Sequence, residues 1–448
     1  MKFEKHNYLI GLDLGTSSIK GVLINQSGDV ISSHSLSTNF IHPQDGWAEL
    51  EPLKYYYDIC GIIRKLAAAT GGEVKAIAMA AASGNTMLST ENGVPLTNII
   101  SWLDQRKTRS SSQFSVQDVK QITGWPCVDS FPLAHLSWLR NNRPELYEKA
   151  GKYCMNTDWL AFKMTNQWVM DYSTATTFHL QDQVNRKYHQ PYLEKLGIQE
   201  ENLSTLIPSG KIIGNLTPAA AKDTGLSTKT VMVSGCFDHP AAARAVGVLE
   251  PGQLLISCGT SWVGFFPVPS RENILKAGLL CDPFLSDNNG PWGAIFSVPH
   301  IGRTVDWYVD KLIAPNEKNK FQIFDELAAK ASPSAGGLKI DLRKTPTQIN
   351  DTRENISRAV MESAAELLNE KLKNLASDGI EFKTAIMVGG PSKSPIWPSI
   401  IAETTNLKLS VACQFTGAKG AAMLAGIGVG IYKDEKDAYI HAGDKDAC

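Results

Sequence analysis

The chain has 448 residues, enough for two domains with separate cores, and its 43% hydrophobic and 20% charged residues are ordinary proportions for a globular protein. A formal net charge of -1 gives no field to draw in nucleic acid or an anionic membrane surface, and no apolar run approaches the ~18 residues of a membrane span. The segment Met1–Asn7 lacks the apolar core of a signal peptide, and the eight scattered cysteines contain no Cys-x-x-Cys pair, so neither a zinc site nor a disulfide framework is implied and a cytoplasmic protein with reduced thiols is expected.

The first predicted elements form a meander. Residues 8–13 are an apolar run ending at Asp13, Gly15-Thr16-Ser17-Ser18 is a turn, 19–24 is apolar again, Ser27-Gly28-Asp29 is a second turn, and 30–36 resumes a strand pattern. A P-loop or dinucleotide fingerprint would place its glycines between a strand and a helix, whereas this glycine-bearing turn joins two strands. A turn of small residues exposes N–H groups and hydroxyls to phosphate oxygens, and Asp13 is placed to hold a hydrated Mg²⁺. An ordinary hairpin is the alternative.

Further on, Trp102-Leu103-Asp104-Gln105-Arg106 sets an aromatic plate, a carboxylate and a guanidinium at alternate positions, on one face if the segment is extended. Such a face suits a sugar; the other reading is a surface ion pair over a core tryptophan. Val231-Met232-Val233 reads as a strand, followed by Gly235-Cys236-Phe237-Asp238-His239-Pro240 and a helical stretch over 241–245. Asp238 is then either a base for a substrate hydroxyl or a helix cap. A domain boundary falls near 230–240.

Residues 252–258 and 262–268 are strand-like and enclose a second Gly-Thr-Ser turn, Gly259-Thr260-Ser261, which predicts two similar halves, each with a phosphate-sized turn. Apolar residues at Ile356, Val360, Leu367, Leu368, Leu372 and Leu375 predict an amphipathic helix over 355–375. A strand over 386–388 ends at Gly389-Gly390, and the charged tail from Lys433 closes the fold. Alternating strands and helices predict an α/β class with helices packed on mixed sheets.

In their order and spacing these segments resemble the FGGY carbohydrate kinases, the group of glycerol kinase, xylulokinase and gluconate kinase, over nearly the whole chain. Asp13 to Ser18 is similar to the first phosphate motif of that family. Gly46-Trp47-Ala48-Glu49 through Pro52 is similar to its Gly-Trp-x-Glu-x-x-Pro segment, and Trp102 to Arg106 to Trp-x-Asp-x-Arg. Residues 130–142 resemble a further signature, with His135 where a lysine is usual. Gly235 to Asp238 resembles the catalytic Gly-x-x-Asp, Ser257 to Ser261 the second phosphate motif, and Val388 to Ser394 the adenosine motif.

The resemblance implies two duplicated actin/hexokinase-type (ribonuclease H-like) domains, 1–236 and 237–448, with a cleft between them. It implies an ATP-dependent kinase acting on a ketose, polyol or sugar acid, xylulokinase-like, with Asp238 as general base and Asp13 serving Mg²⁺. Thr16, Ser17, Lys20, Gly259 and Thr260 would line the phosphates, and Gly302, Arg303, Gly389, Gly390 and Ser394 the nucleotide. Ser83, Gly84, Trp102, Asp104, Arg106, Asp238 and His239 would meet the substrate. The partner is a small sugar or polyol, with neither nucleic acid nor membrane, and a homodimer is compatible with the pattern.

Two departures bear on substrate and assembly. The Met-His pair of xylulokinases falls on Ser83 and Gly84, within Ala80-Ala81-Ala82-Ser83-Gly84-Asn85, which argues against xylulose itself as the substrate. Between Gly337 and Asn355 a longer family loop is replaced by a short run. The rival readings are an actin- or chaperone-like ATP-driven switch without a sugar site and a sugar-sensing regulator; the regulator would need a basic DNA-binding module that this chain lacks before its first strand.

Overall fold

Three apolar runs separated by small-residue turns become antiparallel strands β1 (Asn7–Leu14), β2 (Ser18–Asn25) and β3 (Val30–Ser37). The computed structural model describes residues 7–82, 84–106, 114–126, 131–412 and 414–444. Helix α1 (Pro52–Ala68) follows, with Glu51 accepting the N–H groups of Leu53 and Lys54 at its start and Tyr55, Tyr56, Ile59, Ile63 and Leu66 buried. It leads to β4 (Glu73–Ala81), which pairs in parallel with β1. A strand buried on both faces needs a continuous apolar run, and β4 supplies one in Ala76-Ile77-Ala78-Met79-Ala80-Ala81. Beyond it lie β5 (Ile212–Asn215) and β6 (Val231–Val233), giving the order β5-β6-β4-β1-β2-β3, and β7 (Cys236–Phe237) pairs with the end of β4.

The back of this sheet is covered by helix α2 (Asp238–Val246) and by helix Thr416–Gly428. The first is rich in alanine and the second in alanine and glycine, because the backbones nearly touch. A Cβ on Gly11 would lie 1.9 Å from the Ala418 carbonyl oxygen, and one on Gly420 1.8 Å from that of Ala241.

The second sheet repeats the arrangement of the first. A hairpin of β8 (Gln253–Cys258) and β9 (Trp262–Val268) precedes β10 (Trp292–Val298), β11 (Thr384–Gly389) and β12 (Lys408–Val411), in the order β10-β9-β8-β11-β12. As β1 pairs antiparallel with β2 and parallel with β4, so β8 pairs antiparallel with β9 and parallel with β11. The amphipathic helix runs over Arg353–Ser377, two residues longer at each end than its apolar spacing predicts, because Thr352 caps it by accepting the Asn355 N–H.

The chain divides into two compact units: 1–247 with 280–292 and 415–443, and 248–279 with 293–414 and 444–448. The expected single cut at 236/237 follows chain order; by packing, α2 and helix Thr416–Gly428 go with the first unit because their small residues seat on its sheet. The charged tail is likewise part of the fold: helix Glu435–Ala442 buries Ala438 and Ala442. Among the described residues no helix is long and apolar enough to cross a membrane.

Candidate active site

In the first unit two carboxylates bracket the end of one central strand. Asp13 on β1 and Cys236 on β7 both pair with Ala80 of β4, from opposite sides, and Asp238 comes two residues after Cys236. Strand β7 reaches β4 only because residue 235 is glycine, since a Cβ there would lie 1.6 Å from the Met79 carbonyl oxygen. Burial pushes the Asp13 carboxyl up to about 6; Lys20 pulls it back and the charge of Asp238 adds to the rise. Lys20 lies opposite Asp13 in the hairpin, its Nζ 3.8 Å from Oδ2. Between them the turn is closed by the Gly15 N–H donating to the Ser18 carbonyl at 3.1 Å, with Thr16 half-buried and Ser17 exposed.

Asp238 is not the helix cap. It is the first residue of α2, Phe237 occupies the cap position without a side-chain bond, and Asp238 Oδ1 accepts the His239 N–H at 2.7 Å. His239 Nε2 stands 3.9 Å from the same oxygen. The approach is held from behind: the Phe237 N–H donates to Ser173 Oγ at 3.1 Å, and Ser173 Oγ donates to Asp282 at 2.6 Å. Burial pushes the Asp282 carboxyl up to about 6. Neither Ser173 nor Asp282 carries a sequence signal, because each works through a partner over 60 residues away.

Trp102 stays near this site, its indole N–H donating to Thr16 Oγ1 at 3.0 Å and its backbone N–H to Asn85 Oδ1 at 3.2 Å. Asp104 and Arg106, expected beside it on a sugar-facing surface, are instead buried at 1% and 5% exposure. Arg106 donates to Asp104 at 2.7 and 2.8 Å and to Glu49 at 2.5 Å, and its guanidinium lies 3.8 Å from the Trp47 ring and 4.9 Å from that of Trp138. Asp104 Oδ2 also accepts the Ala48 N–H at 2.7 Å. Three separate motifs, around Trp47-Ala48-Glu49, Trp102 to Arg106, and Trp138, are therefore one internal ion-pair network, with its polar groups satisfied by each other. Gly84 is buried at φ +95°, and a Cβ there would meet the Phe131 ring at 2.5 Å, so it makes room rather than contacts; Ser83 lies outside the described residues. His135 pairs with Thr86 Oγ1 at 2.9 Å, and burial pushes its imidazole down to about 3, so it is neutral where the family's lysine would be charged.

The second unit holds a cavity of about 410 Å³ lined by Gly259, Thr260, Gly302, Gly390 and Ser394, with Trp262, Val305, Phe324 and Trp397 as apolar walls. The Gly259 N–H closes the second turn onto Ser261 at 3.2 Å, and the Gly302 N–H donates to Thr260 at 3.0 Å. Gly389 supports this wall from behind: at φ +105°, a Cβ would lie 2.3 Å from the Cys258 carbonyl oxygen. Arg303 is exposed and is not among the lining residues. Ser394 Oγ donates to Asp325 at 2.6 Å and accepts the Trp397 N–H at 3.1 Å; Trp262, Phe324 and Asp325 had no motif to announce them. A cavity of this size, with glycine-bearing turns at its edge, lies in the range of small-molecule sites.

Among the described residues no group of three His, Cys, Asp or Glu side chains is placed to hold a metal. Asp13, desolvated and with a single lysine 3.8 Å away, is a carboxylate whose charge a hydrated divalent cation would stabilise. One carboxylate with water and phosphate is the ligand pattern Mg²⁺ favours.

Residues 8–245 match the N-terminal domain of the FGGY family of carbohydrate kinases, and residues 326–429 its C-terminal domain. Among curated proteins, the chain is 27% identical to a xylulose kinase of Bacillus subtilis, over 95% of this chain and 89% of that one. It is 25% identical to an autoinducer-2 kinase of Salmonella typhimurium, over 96% and 87%. Among solved structures, a gluconate kinase from Lactobacillus acidophilus superposes with a TM-score of 0.85 at 21% identity, covering 98% of this chain and 93% of that one. A glycerol kinase of Plasmodium falciparum with ADP does so at 0.85 and 19%, covering 100% and 94%. The fold is thus that of the actin/hexokinase-like sugar kinases.

Proposed function

The chain belongs to the FGGY family of carbohydrate kinases and is a sugar kinase, and on that premise we propose that it transfers the γ-phosphoryl group of MgATP to a hydroxyl of a ketose, polyol or sugar acid with Asp238 as general base. The observation that carries this reading is the pair Asp13 and Asp238 at the two sides of the β4 end, one beside a phosphate-sized turn and the other partly exposed at the start of a helix. The reading keeps the division into an N-terminal domain over 1–236 and a C-terminal domain over 237–448.

Phosphoryl transfer asks the protein for alignment and charge neutralisation more than for covalent chemistry. Asp238 accepts the acceptor's hydroxyl proton as the new O–P bond forms and the bond from Pγ to the ADP oxygen breaks. Thr16, Ser17 and Lys20 in the first unit and Gly259 and Thr260 in the second offer donors to phosphate oxygens. Gly302, Gly390 and Ser394 border the base and ribose. Asp13 would hold Mg²⁺, which when bound spreads the phosphate charge.

The test is ADP release with MgATP, with and without a panel of ketoses, polyols and aldonates, with products identified by mass spectrometry. A sugar kinase is expected to consume ATP in step with acceptor phosphorylation. Equal ATP hydrolysis without any acceptor, and no phosphorylated product, would instead favour a nucleotide-driven switch.

The nucleotide cavity makes a separate prediction. In Gly302→Ala the new Cβ would sit 2.2 Å from the Gly259 carbonyl oxygen, so the second phosphate turn must shift. A displacement of about 1 Å can cost about 10²-fold, so kcat/KM for ATP is expected to fall by that order. Steady-state kinetics at varied ATP, with the acceptor KM nearly unchanged, is the measurement; a normal KM for ATP would move the nucleotide elsewhere.

A further inference from the structure

Asp238 is the first residue of α2, so the place of its carboxylate follows the Phe237 peptide just before it. The Phe237 N–H donates to Ser173 Oγ at 3.1 Å, and Ser173 Oγ donates in turn to Asp282 Oδ2 at 2.6 Å. Ser173 and Asp282 are buried, at 2% and 1% exposure, so water does not replace either when it is removed. Ser173 is itself fixed by helix Tyr172–Phe178, whose start Asp171 caps by accepting the Thr174 N–H at 2.8 Å.

The second oxygen of the same carboxylate, Asp282 Oδ1, accepts the Phe284 N–H at 2.8 Å. Phe284 has a left-handed backbone, φ +46°, which is costly for a residue that carries a ring. It is held there from both sides. Asp282 takes its N–H, and Arg244 Nη2 donates to its carbonyl at 3.1 Å with the guanidinium 4.7 Å from its ring. Arg244 belongs to the last turn of α2, is 1% exposed, and also donates from Nη1 to the Pro240 carbonyl at 3.2 Å. The segment 282–284 therefore grips α2 at both ends, through Ser173 at the peptide before Asp238 and through Arg244 in the last turn. Backbone strain persists only where the surroundings over-determine it, and it collects at functional sites.

We propose that Ser173 and Asp282 are positioning residues for the reaction, a buried relay that holds the Phe237 peptide and thereby aims the Asp238 carboxylate at the acceptor's hydroxyl. This rests on Asp238 being the general base and adds the groups that place it. The direction of the bonds fits the task. An ionised carboxylate only accepts, so Asp282 draws the Ser173 hydrogen toward itself and leaves a Ser173 lone pair for the Phe237 N–H. Proton transfer requires the base within hydrogen-bond reach of the hydroxyl, so a loosened Phe237 peptide is felt in kcat before it is felt in KM.

The experiment is acceptor-dependent ADP release by the full chain with MgATP, using the most active member of the ketose, polyol and aldonate panel, with a thermal melt of each variant. Ser173→Ala takes away the acceptor of the Phe237 N–H. It is expected to lower kcat about tenfold, with both KM values within about twofold, since a displacement of about 1 Å can cost about 10²-fold and a smaller one costs less. In an Asp238→Asn background the same substitution is expected to change kcat by less than about twofold, because no base is left to aim. A structural role alone would lower kcat alike in both backgrounds. Unchanged kcat in folded Ser173→Ala, or an equal fall in the two backgrounds, overturns the inference and leaves the base reading intact. Near-normal turnover in Asp238→Asn by itself overturns the base reading, and this inference with it. Should Ser173→Ala not fold, Asp282→Asn decides: the amide keeps the shape but offers one acceptor oxygen for two donors, and kcat is expected to fall about threefold or more with both KM values unchanged. A folded Asp282→Asn with normal kcat overturns the relay.

Discussion

Replacing Asp238 by Asn is expected to lower kcat by about 10²–10⁴-fold while the fold and ATP binding persist. The amide keeps the shape of the carboxylate, and its oxygen can still accept the His239 N–H that Asp238 accepts at 2.7 Å. What it loses is the capacity to take the hydroxyl proton. A second effect has the opposite sign. The charge of Asp238 is one of the causes raising the Asp13 carboxyl, so removing it makes Asp13 more readily ionised. A weaker cation site therefore does not account for a fall in kcat. The measurement is saturating-acceptor turnover, with a thermal melt to confirm folding; near-normal turnover in the folded variant would remove Asp238 from the base role.

Arg106→Met is expected to destabilise the first unit by about 3–5 kcal/mol, because removing one partner of a buried ion pair leaves the others uncompensated. Asp104 and Glu49, at 1% and 7% exposure, would both remain without the guanidinium. The loss depends on pH. Burial alone would raise the Asp104 carboxyl, but the Arg106 hydrogen bonds and the Ala48 and Arg106 N–H groups outweigh it and hold the carboxyl below its usual range. A folded pKa below the unfolded one stabilises fully above the unfolded value of about 3.9 and is lost as pH falls through the folded value. The gap between wild type and variant is therefore expected to be full at neutral pH and to shrink in acid below about pH 4. Urea melts at pH 7 and pH 3 read this directly. A variant of normal stability with a raised acceptor KM would return Arg106 to the sugar site.

Much of the architecture was legible because it is local. Alternating apolar runs and small-residue turns sufficed for β1, β2, β3, β8 and β9, and the two Gly-Thr-Ser turns both close as hairpins. Spacing of 3.6 located the long helix to within two residues at each end. Asp13, Asp238, Gly259, Thr260 and Gly302 stand at strand ends, turns or helix starts, where residue type and neighbours suffice to mark them.

The orientation of Asp104 and Arg106 was not legible in that way. Alternation puts Trp102, Asp104 and Arg106 on one face of an extended segment, but only Trp47, Glu49 and Trp138, brought from over 30 residues away, decide that the two charges turn inward. Ring contacts have the same character: Trp125 lies 5.8 Å from Phe131 and 5.7 Å from Phe237, although the three share no spacing along the chain. Likewise nothing in the alanine-rich run over 416–428 says that it backs the first sheet rather than the second; Gly11 permits that contact where the two backbones meet, and Gly420 permits the packing on α2. By itself, then, the amino-acid order determined turns, strand ends and helix phase, since these are set by the dihedral and hydrogen-bonding preferences of adjacent residues. Tertiary structure decided which charges are spent on each other and which rings pack together, because pairing energies are settled by through-space distance and desolvation, to which separation along the chain is no guide.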